Sequence, residues 1–466
     1  MSNDAVDDVK HAETEQVANP KQLIASVLAA AVIGILAAIF ASFFLGLVEA
    51  GQHAFFHTIP HSLGIEGNPI YVGGLLLIAS LVIFFARKMI GHTGGGPLTG
   101  FHFDVPAKAV PSALIAAFAS LVAGVALGPE APLILLGVAL GGILFARRPE
   151  KVRKAMMFVG GAAAISAVFG NPFITGFMIL EFVALGAVPA VMILPVFTAL
   201  ASGYLVTIGI WNIPGVSAHP LTVPGLPDYP HINPGDILVG LGVAVLAGLV
   251  ALIARKGGEF VDRLSQKRST LVLFGAAVVT AIVLAIAEGV FGINQDQILF
   301  SGNSGMPGLI AETSLGAVLV IIIAKTLTYS VALGAGFRGG PIFPVTFLGV
   351  ALIKRIPYRY FRWVHKAFGA IFLAGVFHGL MLMPTTFWQS PLGWLTAAMA
   401  AAGIAAASAA FLKLPATSAL LGALLIAGTG PAIAPFAIFG AVIGFVIRLV
   451  ADARNAKVAN PVASQG

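Results

Sequence analysis

The sequence predicts an all-α, polytopic membrane protein with an inverted internal repeat and broken, half-membrane helices, and three observations carry that prediction. Apolar residues fill 58% of the 466 positions and charged residues only 10%, against roughly 45–50% apolar usage in soluble domains. The apolar tracts are interrupted by many of the 55 glycines and 28 prolines. Hydrocarbon tolerates such breaks only where the freed backbone is buried in protein or lines a wet cavity. Finally, one apolar decapeptide recurs with six of its ten residues matched, each time after a Gly/Pro-rich lead-in.

Taken in order, residues 1–20 are polar and acidic, with Asp4, Asp7, Asp8, Glu13 and Glu15, and lack the basic start of a secretory signal. They read as a disordered cytoplasmic tail. Apolar tracts near 22–50, 70–86, 110–146, 156–210, 236–254, 270–292, 315–353, 368–384 and 393–450 provide material for about ten or more spans of about 20 residues each. The membrane domain is expected over 21–454, in repeat halves of about 21–232 and 233–454, with 455–466 as a second tail. Trp211, Trp388 and Trp394 fit interfacial belts.

Basic residues cluster at Arg87-Lys88, Arg147 to Lys154, Arg255 to Arg268, Lys354 to Lys366 and Arg448 to Lys457, while 51–70, 207–235, 286–314 and 376–396 have none. Positive charge favours the cytoplasmic face. Arg87-Lys88 then lie inside, the N-terminus is cytoplasmic, and His53, His57 and His61 are outside. The net charge of +7 is scattered through short loops, which excludes a nucleic-acid site. Without cysteine there is neither a disulfide nor a thiolate metal site. His53 and His57 are spaced for a shared metal but have no acidic third ligand nearby, so they read as a solvated pair. No metal or cofactor is expected.

The repeat pairs "APLILLGVAL" (Ala131 to Leu140) with "FPVTFLGVAL" (Phe343 to Leu352), after the lead-ins "LGPEAP" and "GFRGGPIFP". Matching Gly/Pro-interrupted segments in two halves point to a midplane site formed by broken helices. Proline near a first helical turn costs little, because the amides there have no intrahelical partner. The remaining free N–H groups and the positive end of the helix dipole favour negative charge. Two such ends converging would bind an anion without a full positive charge to trap it. Inversion would put the basic clusters after the two copies on opposite faces, against the charge rule, so the repeat locates the site and the early loops set the orientation.

A charge sits inside this pattern. Of the 19 acidic residues only Glu130 and Glu181 lie well within long apolar tracts. A midplane charge costs about 2.5–3.5 kcal/mol even on lenient scales and normally marks an ion pathway.

These residues resemble the ClC superfamily of chloride channels and chloride/proton exchangers. "GPEAP" (Gly128 to Pro132) is similar to its G-[KR]-E-G-P, "GPIFP" (Gly340 to Pro344) to its G-x-F-x-P, and "TGGGP" (Thr93 to Pro97) occupies the place of its G-S-G-x-P. "VFGNPFITGFMILEF" (Val168 to Phe182) resembles its N-x-P-hydrophobic-G stretch. The likeness covers most of 22–450 and is closest to a bacterial ion-channel-like branch carrying G-P-E. It implies a homodimer with a pore in each subunit, permeation of chloride or a related monovalent anion, and half-helices beginning near Pro97, Pro129 and Pro341. It also implies that Glu130 is a gating carboxylate which competes with the anion and leaves when protonated. A bacterial inner membrane follows from the same branch.

Departures from the family pattern bear on the details. Gly94 stands at the position of the family's serine and Thr429 near that of its tyrosine, with Thr93 a substitute one residue away. Ile342 takes the aromatic position, and Pro129 and Pro341 remove two amides. The anion ligands are therefore sought among Thr93, Gly94, Gly95, Gly96, Ala131, Gly340, Ile342, Phe343 and Thr429, with the Glu130 amide. Exchangers carry paired acids where this chain has Glu181 and Phe182. Phe182 leans the reading to passive or weakly proton-coupled permeation; the alternative is an obligatory chloride/proton antiporter using Glu130 and Glu181. Glu181 either relays protons or is an ion-paired structural acid. Arg338 either brings positive potential to the path or anchors its loop, Lys325 either snorkels or meets a buried partner, and His92, His102 and Asp104, which flank the Gly94 to Pro97 turn, either cap that loop or modulate the pH response or an inner vestibule. An intramembrane enzyme is the competing class, but GxSxG and HExxH are absent, and the half-helix repeat favours ion binding over a two-carboxylate catalytic site.

Overall fold

The computed structural model describes residues 20–89, 96–100, 103, 105–209, 223, 225–232, 234–352 and 392–459. Thr93, Gly94 and Gly95, with His92, His102, Asp104, Trp211, Trp388 and the tract at 368–384, lie outside the described residues, as do 1–19 and 460–466.

The described residues are helical and contain no strand. In order they form α1 (Pro20–His53), which continues through a π turn (Ala54–Thr58) into α2 (Ile59–Leu63), then α3 (Pro69–Ala86), α4 (Val110–Val122), α5 (Glu130–Leu144), α6 (Glu150–Phe169), α7 (Pro172–Ala184) and α8 (Ile193–Thr207). The remainder are α9 (Pro234–Phe291), α10 (Met306–Ala311), α11 (Leu315–Gly334), α12 (Ile342–Ala351), α13 (Leu392–Leu412), α14 (Pro415–Leu424) and α15 (Ala434–Ala459). The last carries helix into the segment read as a C-terminal tail.

Local chemistry sets these bounds. Asn68 caps α3 by accepting from the amides of Ile70 and Tyr71, with Pro69 in the first turn, and Asn171 caps α7 in the same way, accepting from Phe173 before Pro172. Gly170 ends α6 with φ 58°, a left-handed conformation that glycine adopts freely. Within α9 the backbone leaves helical geometry at Arg268, where the basic stretch separates the two apolar tracts.

Eight helices are long and apolar enough to cross a membrane, and five more are apolar but short: α4, α5, α7, α12 and α14. One of the eight, α9, holds two of the expected apolar tracts, 236–254 and 270–292, on either side of Arg268. The 10 residues of α12 reach about 15 Å, half the hydrocarbon thickness. No helix begins at Pro97, contrary to expectation. Thr99 sends both its amide (3.1 Å) and its hydroxyl (2.7 Å) back to the Gly96 carbonyl, which closes a turn, and the next helix among the described residues is at Ala107–Ala109, followed by α4.

Two compact units form, one from the described residues within 1–47, 101–110 and 132–220, the other from those within 48–100, 111–131 and 221–466. Both use the repeated decapeptide alike. In the first unit Gly137 faces Gly160 of α6 so closely that an added Cβ would lie 2.0 Å from the Gly160 carbonyl oxygen. In the second, the matching Gly349 faces Gly403 of α13, where the same atom would lie 2.6 Å from a carbonyl oxygen. Small residues at such contacts let helix backbones approach, the usual means of association in lipid. Gly137→Ala and Gly349→Ala are each expected to lower the midpoint of thermal unfolding in detergent, since the obstructing atoms are backbone and overpacking costs about 1–3 kcal/mol. Unchanged midpoints would mean that these helices do not meet through the glycines.

Candidate functional site

The two lead-ins of the repeat meet at their glycines. Gly128 donates its amide to the Gly340 carbonyl at 2.7 Å, and Gly340 returns the bond to Gly128 at 2.5 Å, an isolated antiparallel bridge. The reason is in the shared pattern G-P-x-x-P. A helical carbonyl accepts from the amide four residues on. Four residues after Gly128 is Pro132, and four after Gly340 is Pro344; neither has an N–H. Both glycine carbonyls are left without helical partners, and each takes the other glycine's amide.

Glu130 opens α5 and is fully buried. Its Oε1 accepts from the Phe343 amide at 2.8 Å. A carboxylate from one repeat thus occupies the start of the other repeat's short helix, where free amides and the helix dipole favour negative charge. Its Oε2 has no hydrogen-bond partner among the described residues. That oxygen lies over the bridge: a Cβ added to Gly128 would stand 2.1 Å from it, and one added to Gly340 1.8 Å. The seat exists because both positions are glycine.

Of the residues sought as anion ligands, the structure gathers Gly340, Ile342 and Phe343 around Glu130, and Ala131 follows Glu130 in the first turn of α5. Gly340, counted as an amide donor from sequence, uses its N–H in the bridge; its part is to leave room. Gly96 precedes the Pro97 turn, where an added Cβ would lie 3.7 Å from Arg338 Nη1. Thr429 is buried elsewhere in the same unit, its hydroxyl donating to the Ile426 carbonyl at 2.9 Å and its carbonyl accepting from Tyr229 at 2.7 Å. Glu181 is half-buried in α7 beside Phe182. Ser120 holds the Arg338 amide at 3.0 Å, and Arg87 donates to the Gly336 carbonyl at 3.2 Å.

Lys325 meets buried partners rather than snorkelling. Its ammonium donates to the carbonyls of Leu299 (2.6 Å) and Phe300 (2.9 Å) and lies 5.0 Å from the Phe347 ring centroid of α12. Phe300 is held at φ 57°, and its amide donates to Gly124 at 2.9 Å, in the break that leads to Gly128. One turn along α11, the fully buried Tyr329 donates its hydroxyl to the Pro341 carbonyl at 2.8 Å. Sequence reading missed Tyr329; the signal was the polar cluster "KTLTYS" (Lys325 to Ser330) inside an apolar span. It also missed Tyr229, whose hydroxyl donates to buried Asp236 at 2.7 Å.

A family model described as voltage gated chloride channel matches residues 74–448, which include every residue of the Glu130 cluster. The curated "Putative ion-transport protein YfeO" of Escherichia coli is 27% identical over 340 residues, covering 70% of this chain and 77% of that protein. Its Shigella sonnei counterpart gives the same figures. Among solved structures, a slow cyanobacterial Cl−/H+ antiporter superposes with a TM-score of 0.67 at 16% identity, covering 94% of this chain and 98% of that one. A CLC-type fluoride/proton antiporter gives 0.59 at 15% identity, with 92% and 97% covered. At such identities the structures speak for the fold alone, and the fold they share is the all-α membrane architecture described above. The family consists of transporters and channels, not of enzymes. The chain, an integral membrane protein, belongs to the voltage-gated chloride channel family.

Proposed function

We propose that the protein passes chloride or a related monovalent anion through a pathway gated by Glu130, by passive or weakly proton-coupled permeation. One observation carries the reading: the buried Glu130 carboxylate already accepts the Phe343 amide at the start of α12. A negative group resident at a helix start marks a place where another anion would be at home, and the resident is tethered and ionisable. Protonation removes its charge and its claim on the amide, so the carboxyl swings out and the anion enters. The amides of Ile342 and Phe343 then serve the anion, with those of Glu130 and Ala131 at the facing helix start, and the bridged glycines leave room. Phe182 beside Glu181 supports the passive lean, because the second acid of an exchanger's pair is absent. The antiporter titles of two structural neighbours support the second reading, obligatory exchange with protons through Glu130 and Glu181. A homodimer in a bacterial inner membrane, N-terminus inside, completes the proposal.

The test is purified protein in liposomes, with anion efflux and internal pH followed together. Wild-type flux is expected to rise as pH falls, since the protonated carboxyl vacates the seat. Glu130→Gln is expected to make flux nearly independent of pH. Unaltered pH dependence in that variant would defeat the gating role, and protons moving in fixed ratio to anions in the wild type would favour the antiporter.

A further inference from the structure

We propose that Tyr329 is a further ligand of this site, its hydroxyl turning from the Pro341 carbonyl to the permeating anion when Glu130 withdraws, and so helping to set which anion passes. The inference rests on the reading of Glu130 as the anion's competitor.

A phenol hydroxyl with no access to water needs a partner, and Tyr329, wholly buried in α11, finds it at Pro341, 2.8 Å away. That residue directly precedes Ile342 and Phe343, so the hydroxyl is fastened to the same turn of backbone that holds the Glu130 carboxylate. The bond is one the carbonyl can lose. Pro341 caps α12, and the carbonyl of an N-cap residue already accepts the first intrahelical bond; a carbonyl has two lone pairs. Rotation about the phenol C–O bond re-aims the proton without moving the ring, which is held against Phe411 at 5.9 Å between centroids.

Lys325, one turn back on α11, is engaged with Leu299 and Phe300. The two helix starts are poor in donors. Prolines at 129, 132, 341 and 344 lack amides, and the bridge takes those of Gly128 and Gly340. An anion that leaves its hydration shell for such a seat is under-coordinated, and a single strong O–H donor offsets part of that loss. A point donor favours a compact, strongly accepting ion such as chloride over a diffuse one such as nitrate.

The decisive variant is Tyr329→Phe, which keeps the ring and deletes the hydroxyl. Chloride and nitrate efflux are compared in liposomes for wild type, Tyr329→Phe, Glu130→Gln and the double variant. The chloride-to-nitrate ratio is expected to fall about threefold on loss of the hydroxyl, the part of a charge-assisted hydrogen bond by which chloride exceeds nitrate, and to fall likewise in the Glu130→Gln background because the hydroxyl acts on the anion itself. An unchanged ratio in both backgrounds overturns the inference and leaves the hydroxyl a brace for the backbone. If Glu130→Gln leaves pH dependence intact, the gating reading fails on its own, while the ratio still decides for or against Tyr329. Should Tyr329→Phe not fold, 3,5-difluorotyrosine at 329, a stronger donor of the same shape, is expected to raise the ratio; no shift there overturns the proposal.

Discussion

Gly340→Ala is expected to abolish the pH dependence of anion flux, as removal of the Glu130 carboxylate would. The added Cβ would stand 1.8 Å from Glu130 Oε2 and 2.8 Å from its Cβ, separations that a methyl carbon does not sustain against an unbonded oxygen or carbon. Something has to move. Gly340 is held at both backbone atoms by its bridge to Gly128, whereas the carboxylate ends a side chain with three rotatable bonds. The carboxylate swings away, and the Glu130 Cβ, which no side-chain rotation moves, parts from the new methyl by a small shift of backbone. The carboxylate's departure breaks the bond from Phe343, a charge-assisted contact of about 1.5–3 kcal/mol, which shifts the closed-to-open balance by about ten- to a hundredfold. Flux at neutral pH should rise to the level that the wild type reaches only in acid. The double variant Gly340→Ala with Glu130→Ala is the control. If the methyl acts by expelling the carboxylate, the double variant matches Glu130→Ala alone; if it obstructs the path, flux falls below that of the single variant.

The second large effect is on stability. Lys325→Met is expected to lower the midpoint of thermal unfolding in detergent, by a loss of about 2 kcal/mol. Two effects of opposite sign compete. Methionine removes a desolvated ammonium, which is a gain, and orphans the buried carbonyls of Leu299 and Phe300, at about 1–3 kcal/mol each. The orphaned groups outweigh the relief because they sit in a turn that is already strained, with Phe300 at φ 57°, a conformation that costs a bulky residue about 1–3 kcal/mol. Through the Phe300 amide the same turn holds Gly124, four residues before Gly128. Loosening it should therefore also disturb the bridge and reduce anion flux. A variant with wild-type melting and wild-type flux would show that the ammonium is a bystander.

What could be read from the sequence was set by free-energy cost. Glu130 stood out because charge in an apolar tract is expensive, and the duplicated decapeptide stood out because its glycines and prolines recur in register. Both features lie at the centre of the site. The lean toward short helices likewise follows from proline and glycine placement, and α5 and α12 begin one residue after Pro129 and Pro341. Tertiary pairing was not legible. Gly340 counted as a donor because nothing local says that its amide meets Gly128. A helix start near Pro97 was implied by the family resemblance of Thr93 to Pro97, and the competing local bonds of Thr99 made a turn instead. Tyr329 passed for packing because an aromatic side chain within an apolar span ordinarily is packing; only its hydroxyl partner, twelve residues away on the next element, distinguishes it.

The matched turns at Gly128 and Gly340 have one more consequence. They share glycine, proline and a second proline at the same spacing, and so make the same fold and the same pair of reciprocal bonds. They differ at the third and fourth places, where one has Glu130 and Ala131 and the other Ile342 and Phe343. Duplication alone would give two equivalent sockets facing each other. The difference at the third place gives one copy the plug and leaves the other the receptacle, so the mechanism has a single moving part although its frame was built twice.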